Sequence, residues 1–216
     1  EIPLSTANEI PNFEKRLLEG QDDSAYMNPY HYTVFHERPG YQAIAKQKNK
    51  KIKGIIVVPK ESELTSLNEL DGKTLAFPAP AAFAASVLPR AKMAKDGIDI
   101  TPQYVSSHDS VYLTVSRNIF TAGGGVQRTL NNTSTEVSEK LRVLWTTPGY
   151  TPHAIATHPD LDTTIKNKLQ KALIEMNTDP EGQALLKSIS FKGMEIADNE
   201  DWDDVRDLNI TPLAVS

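Results

Sequence analysis

The sequence predicts an α/β fold built on parallel sheets, and three observations lead to that prediction. Short apolar runs alternate along the chain with stretches of helical period. The clearest run, residues 54–59, is continuous, rich in β-branched residues and stopped by Pro59, which is typical of a strand buried on both faces of a parallel sheet. Strands that alternate with helices indicate a sheet whose faces the helices cover.

The elements of the first half follow from apolar periodicity and from residues that begin or end helices. Proline near a first turn and glycine just after a last turn favour a helix that starts at Pro11 and is closed by Gly20. Ser66 and Glu69 have the spacing of a capping box, which predicts a single helical turn. In chain order we expect a helix over 11–18, strand 24–27, helix 30–35, strand 54–59, helical turn 66–72, strand 73–77 and helix 81–96. Residues 46–53 contain five lysines and are expected to form a solvated turn.

The second half continues the alternation. We expect strands over 104–105, 118–122, 141–146 and 153–157, and helices over 109–116, 163–177 and 181–188. The helix over 163–177 has the strongest amphipathic pattern, with one apolar face formed by Ile165, Leu169, Ala172, Leu173 and Met176. The strand over 118–122 is expected to run into a glycine turn at 123–125.

Composition excludes several classes of function. The 216 residues carry a net charge of -5, which disfavours a general nucleic-acid binder because such a protein needs a strongly basic face. The chain contains no cysteine, so disulfides, thiol catalysis, zinc–thiolate sites and iron–sulfur clusters are excluded. The chain contains no run of 18 apolar residues, so no membrane-spanning helix is predicted. The apolar fraction of 39% is too high for a disordered chain.

Polar residues, glycine and proline follow five of the predicted strands. These segments are 28–30, 78–83, 106–110, 123–125 and 147–153. In parallel α/β sheets, ligands bind outside the carboxyl ends of the strands, where helix N-termini also present free N–H groups. The sequence therefore predicts a small-ligand site built from these segments.

Other interpretations of the same residues remain open. Residues 107–110, Ser-His-Asp-Ser, contain the residue types of a hydrolase triad, but a triad is assembled in space rather than from sequence neighbours. Ser107 or Asp109 could equally cap the helix that follows. The glycines at 123–125 match neither a dinucleotide fingerprint nor a P-loop. We therefore expect no cofactor and no bound metal.

An ordered set of segments resembles one known family. Residues 56–62 and 67–77 resemble the periplasmic substrate-binding proteins of the PhnD-like phosphate/phosphite/phosphonate family of ABC transporters. Residues 26–32, 107–112, 141–148 and 179–186 agree with that family in order and spacing, so the resemblance covers nearly the whole chain.

The resemblance implies a type II periplasmic-binding-protein-like fold. Such proteins have two α/β lobes joined by two crossing strands, with a ligand cleft between the lobes. Lobe one is expected to contain residues 1–58 and 152–216, and lobe two residues 59–151. The implied function is capture of a small solute, an oxyanion or phosphonate-like ligand among the candidates, by hinge closure in the periplasm.

The implied partners are the ligand and a membrane permease of an ABC transporter, and the protein is expected to be a monomer that binds no nucleic acid. Two alternatives remain: a sensor domain that feeds a histidine kinase, and an enzyme on the same fold that uses His108.

The resemblance also implies a set of ligand contacts. They are Tyr26, Asn28, Tyr30, Phe83, His108, Asp109, Tyr112, Gly123, Gly124 and Tyr150. Phe83 and the tyrosines would form an apolar or stacking wall, His108 would donate to a ligand oxygen, and Tyr150 would lie near the hinge. The glycine segment would offer backbone N–H groups.

Several positions depart from the family pattern. Residues 82–84 are Ala-Phe-Ala where phosphonate binders usually have Ser-Thr-Ser, so the hydroxyl donors for the anion are missing. Thr121 stands where an aspartate is usual, and Ile52 falls near the position of a tyrosine. His108 matches. Residues 1–5 resemble the second strand of the family rather than its first, so a first strand and helix are expected to be lacking.

Overall fold

The structure is a computed structural model that describes residues 5–6 and 10–210 of the chain. Most of the segment that resembles the family's second strand, residues 1–4, lies outside the described residues. The chain divides into two compact units, here called unit 1 and unit 2. Unit 1 contains the chain up to Lys51 together with Thr151–Asp207, and unit 2 contains Ile52–Tyr150 and the residues from Leu208 onwards. The expected lobe boundaries near 58 and 152 stay a prediction.

The described part of the chain forms nine strands. They are β1 Ser24–Met27, β2 Gln42–Gln47, β3 Ile55–Pro59, β4 Thr74–Phe77, β5 Thr101–Tyr104, β6 Ala122–Gly125, β7 Leu141–Thr146, β8 Ala154–Thr157 and β9 Met194–Ile196.

The α-helices of the described residues are α1 Ile10–Leu18, α2 Pro29–Glu37, α3 Leu88–Lys95, α4 His108–Ser116, α5 Gln127–Asn132, α6 Thr135–Ser138, α7 Thr163–Glu175, α8 Pro180–Ser188 and α9 Asp203–Arg206. Short 3₁₀ turns occur at Leu67–Leu70 and Asn199–Trp202, and a π-helical turn at Phe83–Val87. None of the helices within residues 10–210 is long and apolar enough to cross a membrane.

Unit 1 has a four-stranded sheet in the order β1-β8-β2-β9, and all of its described pairs are antiparallel. The expectation of a parallel sheet is therefore wrong for this unit. Strand β2 was not predicted, because its sequence Gln-Ala-Ile-Ala-Lys-Gln is half polar. The first two residues of the solvated turn expected over 46–53 belong to β2 in the structure. Gln47 is buried there, and Lys46 binds Asp201 at 2.7 Å.

Helix α7 forms as predicted, but none of its residues is buried. Ile165 of the expected apolar face is 54% exposed. Only the C-terminal part packs, since Leu173 and Met176 contact the cluster formed by Ala45, Leu186 and Met194. The amphipathic pattern correctly predicted the helix and overstated its burial.

Unit 2 has a five-stranded sheet in the order β5-β4-β6-β3-β7. Strand β4 is parallel to β5 and β6, whereas β3 is antiparallel to both of its neighbours, β6 and β7. The prediction that β3 lies in a parallel sheet is wrong, because a continuous apolar run reports burial on both faces and carries no information on strand direction. Burial on both faces is confirmed: Ile56 and Val58 pack in one core cluster, and Ile55 and Val57 in another.

Strand β6 consists of Ala122 and the three glycines that follow it, and residues 118–121 are not strand. The predicted strand over 118–122 with a glycine turn after it is therefore wrong. Glycine is required here by close packing. A Cβ on Gly123 would lie 2.4 Å from Val111 Cγ1, and one on Gly125 would lie 2.3 Å from the Tyr112 hydroxyl.

The helix predicted over 81–96 begins as the π turn Phe83–Val87 and continues as α3. Pro89 explains the irregular start. Because it has no N–H, it can form neither an α-helical hydrogen bond to the Ala85 carbonyl nor a π-type bond to the Ala84 carbonyl. The N–H of Leu88 donates to Phe83 O instead.

The carbonyls of Ala84 and Ala85 both lie against glycines, one directly before β3 and the other in β6. A Cβ on Gly54 would lie 1.8 Å from Ala84 O, and one on Gly124 would lie 1.9 Å from Ala85 O.

Candidate functional site

The start of α2 carries two of the predicted ligand contacts, Asn28 and Tyr30. Asn28 is the N-cap, and its Oδ1 accepts a hydrogen bond from the His31 N–H at 2.8 Å. Its carbonyl accepts the Tyr32 N–H at 2.9 Å. Tyr30 is 5% exposed and lies in the core of unit 1. Both residues therefore have clear roles in holding the helix, and their contact with a ligand stays a prediction.

Tyr26, the third predicted contact of unit 1, is half-exposed at 49%. Its ring stacks on His153 with 4.8 Å between centroids and 19° between planes. Phe191 lies on another side of it at 6.4 Å. Partial burial raises the pKa of the Tyr26 phenol, so the hydroxyl stays protonated and is a neutral donor at neutral pH.

Sequence reasoning missed His153 as a site residue. Burial, together with the smaller effects of the neighbouring His31 and Lys50, lowers its pKa to about 4. The imidazole is therefore neutral at pH 7. The segment 147–153 that ends in His153 was expected to contribute to the site, but His153 was not among the individual ligand contacts expected. His153 directly precedes β8. Because β8 is antiparallel to β1, with Ala154 opposite Met27, the start of β8 lies beside the end of β1.

The two histidines of α2 have other contacts. His31 is buried and lies 2.9 Å from Glu14 Oε1, and His36 Nδ1 lies 2.8 Å from the carbonyl of Tyr41. Within residues 10–210, no group of three or more His, Asp or Glu side chains is placed to hold a metal ion.

Two of the predicted residues of unit 2, Phe83 and Tyr150, contact each other. Their rings meet edge to face, with 6.1 Å between centroids and 90° between planes. Phe83 begins the π turn and is only 4% exposed. Tyr150 is held by two backbone hydrogen bonds with Ile52, of 2.8 and 2.9 Å. Phe83, which is expected to replace a hydroxyl donor of the family pattern, therefore packs against a second aromatic ring.

His108 is the first residue of α4, directly after the N-cap Ser107, whose hydroxyl accepts the Ser110 N–H. Ser107, rather than Asp109, is therefore the cap. The Nδ1 atom of His108 is buried and has no hydrogen-bond partner among the described residues. Burial lowers the pKa of His108, and the nearby Asp109 only partly opposes that effect. A neutral imidazole at a helix N-terminus can donate to, or accept from, a polar ligand atom.

Asp109 and Tyr112 are engaged within unit 2. The carboxylate of Asp109 accepts a hydrogen bond from Thr133 Oγ1 at 3.1 Å. Tyr112 is fully buried; its hydroxyl accepts the Val126 N–H at 3.1 Å and lies 2.6 Å from Thr129 Oγ1. Burial raises the pKa of the Tyr112 phenol. The Tyr112 hydroxyl thus fixes the end of β6 against α4.

Gly123 and Gly124 lie inside the sheet rather than in a loop. Gly123 is opposite Val57 and Ala76, and Gly124 is opposite Ile56. The predicted open turn of backbone donors is wrong, because these residues pair with neighbouring strands. A ligand contact by Gly123 or Gly124 stays a prediction.

Comparison with known proteins identifies the family. A sequence model described as "ABC transporter, phosphonate, periplasmic substrate-binding protein" matches residues 1–202. The chain belongs to this family. It is therefore a substrate-binding component of ABC transport, which captures a small solute for a membrane permease.

Three solved structures share the fold at low sequence identity. A binding protein component of an ABC phosphonate transporter from Pseudomonas aeruginosa has a TM-score of 0.78 at 16% identity, with 94% of this chain and 72% of that chain covered. PhnD1 from Prochlorococcus marinus, in complex with methylphosphonate, has a TM-score of 0.76 at 15% identity, with 92% and 81% covered.

The periplasmic aliphatic sulphonate binding protein SsuA from Escherichia coli has a TM-score of 0.62 at 14% identity, with 94% and 76% covered. The expectation of an α/β fold of the type II periplasmic-binding-protein kind is confirmed.

Proposed function

We propose that this chain captures an organic oxyanion of the phosphonate or sulfonate class in the periplasm and delivers it to the permease of an ABC transporter. Family membership supports the location, the small-molecule ligand and the permease partner. The solved relatives that bind methylphosphonate and aliphatic sulphonate support the chemical class. The aromatic pair of Phe83 and Tyr150 favours an oxyanion with an apolar substituent, since two rings offer packing area rather than hydroxyl donors.

The observation that carries the site assignment is the unpartnered Nδ1 of His108. A buried polar atom without a hydrogen bond costs free energy, roughly 1–3 kcal/mol, unless something else binds it. We infer that a ligand oxygen supplies that partner at the N-terminus of α4, where helix N–H groups also favour an anion. The proposed contacts of unit 2 are therefore Phe83, His108 and Tyr150, and Tyr26 stays a predicted contact of unit 1.

Thermal unfolding against a ligand panel tests the proposal. The panel contains phosphate, phosphite, methylphosphonate, longer alkylphosphonates, alkylsulfonates, and neutral and zwitterionic metabolites. A ligand at 100 times its Kd adds roughly 2.7 kcal/mol to the free energy of unfolding. For a chain of this size that is a rise in Tm of roughly 5–11 °C.

Variants of the proposed contacts test whether the ligand-induced rise in Tm arises at this site. His108→Ala and Phe83→Ala should lose most of the ligand-induced rise. The matched control is Leu113→Ala, on an exposed part of the same helix as His108, which should keep the rise. A panel without any shift would contradict solute capture, and a full shift in His108→Ala would contradict the site assignment.

We infer no catalytic role for His108. An acid–base pair would need the carboxylate of Asp109 at the imidazole, whereas that carboxylate bonds to Thr133. Turnover of any panel compound that disappears in folded His108→Ala would contradict this inference. No observation on the described residues favours docking on a histidine kinase over docking on a permease.

A further inference from the structure

Arg128 is a charged residue of unit 2 that the proposed function does not use. It lies in the first turn of α5, three positions after β6 ends at Gly125. Its side chain is exposed and forms no ion pair with any residue in the part of the chain that the structure describes. The guanidinium group is therefore available to bind an anion.

The sheet of unit 2 places Arg128 at the same end as two of the proposed contacts. Strand β4 lies between β5 and β6 and is parallel to both. The carboxyl ends of three neighbouring parallel strands therefore meet at one end of the sheet, which is where α/β sheets bind ligands. Phe83 follows the end of β4, His108 follows the end of β5, and Arg128 follows the end of β6.

Hydrogen bonds hold α5 against the first half of α4, the helix that begins with His108. The Tyr112 hydroxyl accepts the Val126 N–H at 3.1 Å and lies 2.6 Å from Thr129 Oγ1. The ring of Tyr112 is one helical turn after that of His108, with 6.5 Å between centroids. A single side chain thus joins the segment that contains Arg128 to the turn that carries His108.

The proposed anion site of unit 2 lacks a positive charge without Arg128. Burial lowers the pKa of His108, so its imidazole is neutral at pH 7 and supplies a hydrogen bond but no charge. The next residue, Asp109, adds a negative charge, and its carboxylate accepts a hydrogen bond from Thr133. A guanidinium offers a full charge and paired N–H donors that match two oxygens of a phosphonate or sulfonate.

Two other cations lie towards the same end of the sheet. Arg90 is engaged by an aromatic ring, since its Cζ lies 6.0 Å from the centroid of Tyr104. Lys53 precedes β3, and the start of β3 lies beside the end of β6 because Ile55 is opposite Gly125. An ammonium group lacks the planar pair of donors that a guanidinium presents. Lys53→Gln therefore separates the two exposed cations by experiment.

We propose that Arg128 is the cationic contact of the ligand site in unit 2, and that its guanidinium binds the phosphonate or sulfonate oxygens beside His108. The inference rests on the proposed function and adds the residue that recognises charge. Loss of a charge-assisted hydrogen bond of this kind corresponds to an increase in Kd of about 10- to 100-fold.

Isothermal titration with methylphosphonate and with ethylsulfonate tests the inference on the full chain. Arg128→Gln should raise Kd about 10- to 100-fold for both probes. Its Kd should also depend less on salt between about 50 and 300 mM NaCl, because one charge contact is lost. Arg128→Lys keeps the charge without the paired donors, so its Kd should lie between those of the wild type and Arg128→Gln.

The matched control is Arg117→Gln, which removes an exposed arginine at the other end of α4 and should change Kd less than twofold. Arg128 is exposed, so both of its variants should fold normally, and unfolding curves without ligand check this.

The outcomes separate this inference from the proposed function. Wild-type binding that Arg128→Gln leaves unchanged, or that only Lys53→Gln weakens, would overturn the inference and leave solute capture standing. Binding of neutral solutes alone would overturn the anion assignment in the same way. A wild-type chain that binds nothing in the panel would overturn both proposals.

Discussion

Replacing Gly124 with alanine should destabilise unit 2 strongly, although the change adds a single methyl group. The new Cβ would lie 1.9 Å from the Ala85 carbonyl oxygen and 2.6 Å from Cδ1 of Phe77. An ordinary contact for such a Cβ is 3.4–4 Å, so the two groups must separate by about 1.5 Å, the difference between 3.4 and 1.9.

The Ala85 oxygen belongs to the backbone, so it cannot move aside by a rotamer change as the end of a long side chain can. Overpacking a core costs roughly 1–3 kcal/mol where side chains can adapt, and more where they cannot. We expect a loss of about 3 kcal/mol or more in the free energy of unfolding. At roughly 2–4 °C per kcal/mol for a chain of this size, Tm should fall by about 6–12 °C.

Differential scanning calorimetry and urea unfolding measure this loss. The comparison variant is Gly72→Ala, where nothing lies within 4 Å of the new Cβ and only the positive φ of +69° is strained. That strain costs roughly 1–2 kcal/mol. The reasoning is refuted if Gly124→Ala is as stable as Gly72→Ala, because the Ala85 carbonyl would then not lie against the glycine.

Two further predictions concern pH and domain motion. Because the folded pKa of His153 is lowered to about 4 from 6.5, the unfolded chain binds its proton first, so stability is lost as pH falls from 6.5 towards 4. The loss in the free energy of unfolding is up to roughly 3 kcal/mol. His153→Phe keeps the ring stack on Tyr26 and should remove this loss. If the free energies of unfolding of the two proteins change with pH in parallel, the assignment to His153 is contradicted. Hinge closure predicts that the radius of gyration from X-ray scattering falls when the best ligand of the panel saturates the protein. Equal radii with and without ligand would contradict closure.

Local sequence signals predicted the elements whose cause is local. The capping box of Ser66 and Glu69 forms as expected, and the 3₁₀ turn at Leu67–Leu70 follows it. Strand β7 has the predicted bounds. In these places the residues that decide the structure lie within a few positions of one another.

Elements that depend on distant partners were predicted less well. The glycines of β6 offer no side chain to report burial, and the need for them comes from packing against α4, the preceding element, and against the π turn, which is distant in sequence. The polar strand β2 is held partly by the ion pair of Lys46 with Asp201, 155 residues later. Strand direction likewise depends on the order in which strands join a sheet, so the antiparallel placement of β3 could not be found from its composition.

The candidate site shows the same division. His108 was found because it follows a strand and opens a helix, and both features are local. His153 lies in the predicted segment 147–153, but its stacking on Tyr26 could not be predicted, because the pairing of β8 with β1 brings the two rings together. Asn28 was correctly placed after a strand, and Tyr112 within a helix. The local cap bond of Asn28 and the bond of Tyr112 to Val126 give each residue a structural role that a sequence pattern cannot distinguish from ligand contact.

The irregular turn that contains Phe83 restricts the residue types at three positions, Gly54, Pro89 and Gly124. Pro89 releases two carbonyls from the helix, and Gly54 and Gly124 leave the room those carbonyls occupy. A residue with an N–H at position 89 could donate to the Ala85 carbonyl in a regular α-helix. A side chain at either glycine would push the turn outwards while the proline still forbids a regular helix. The orientation of Phe83 thus depends on residues elsewhere in the fold, and a change in specificity at this position can arise from a substitution on another strand.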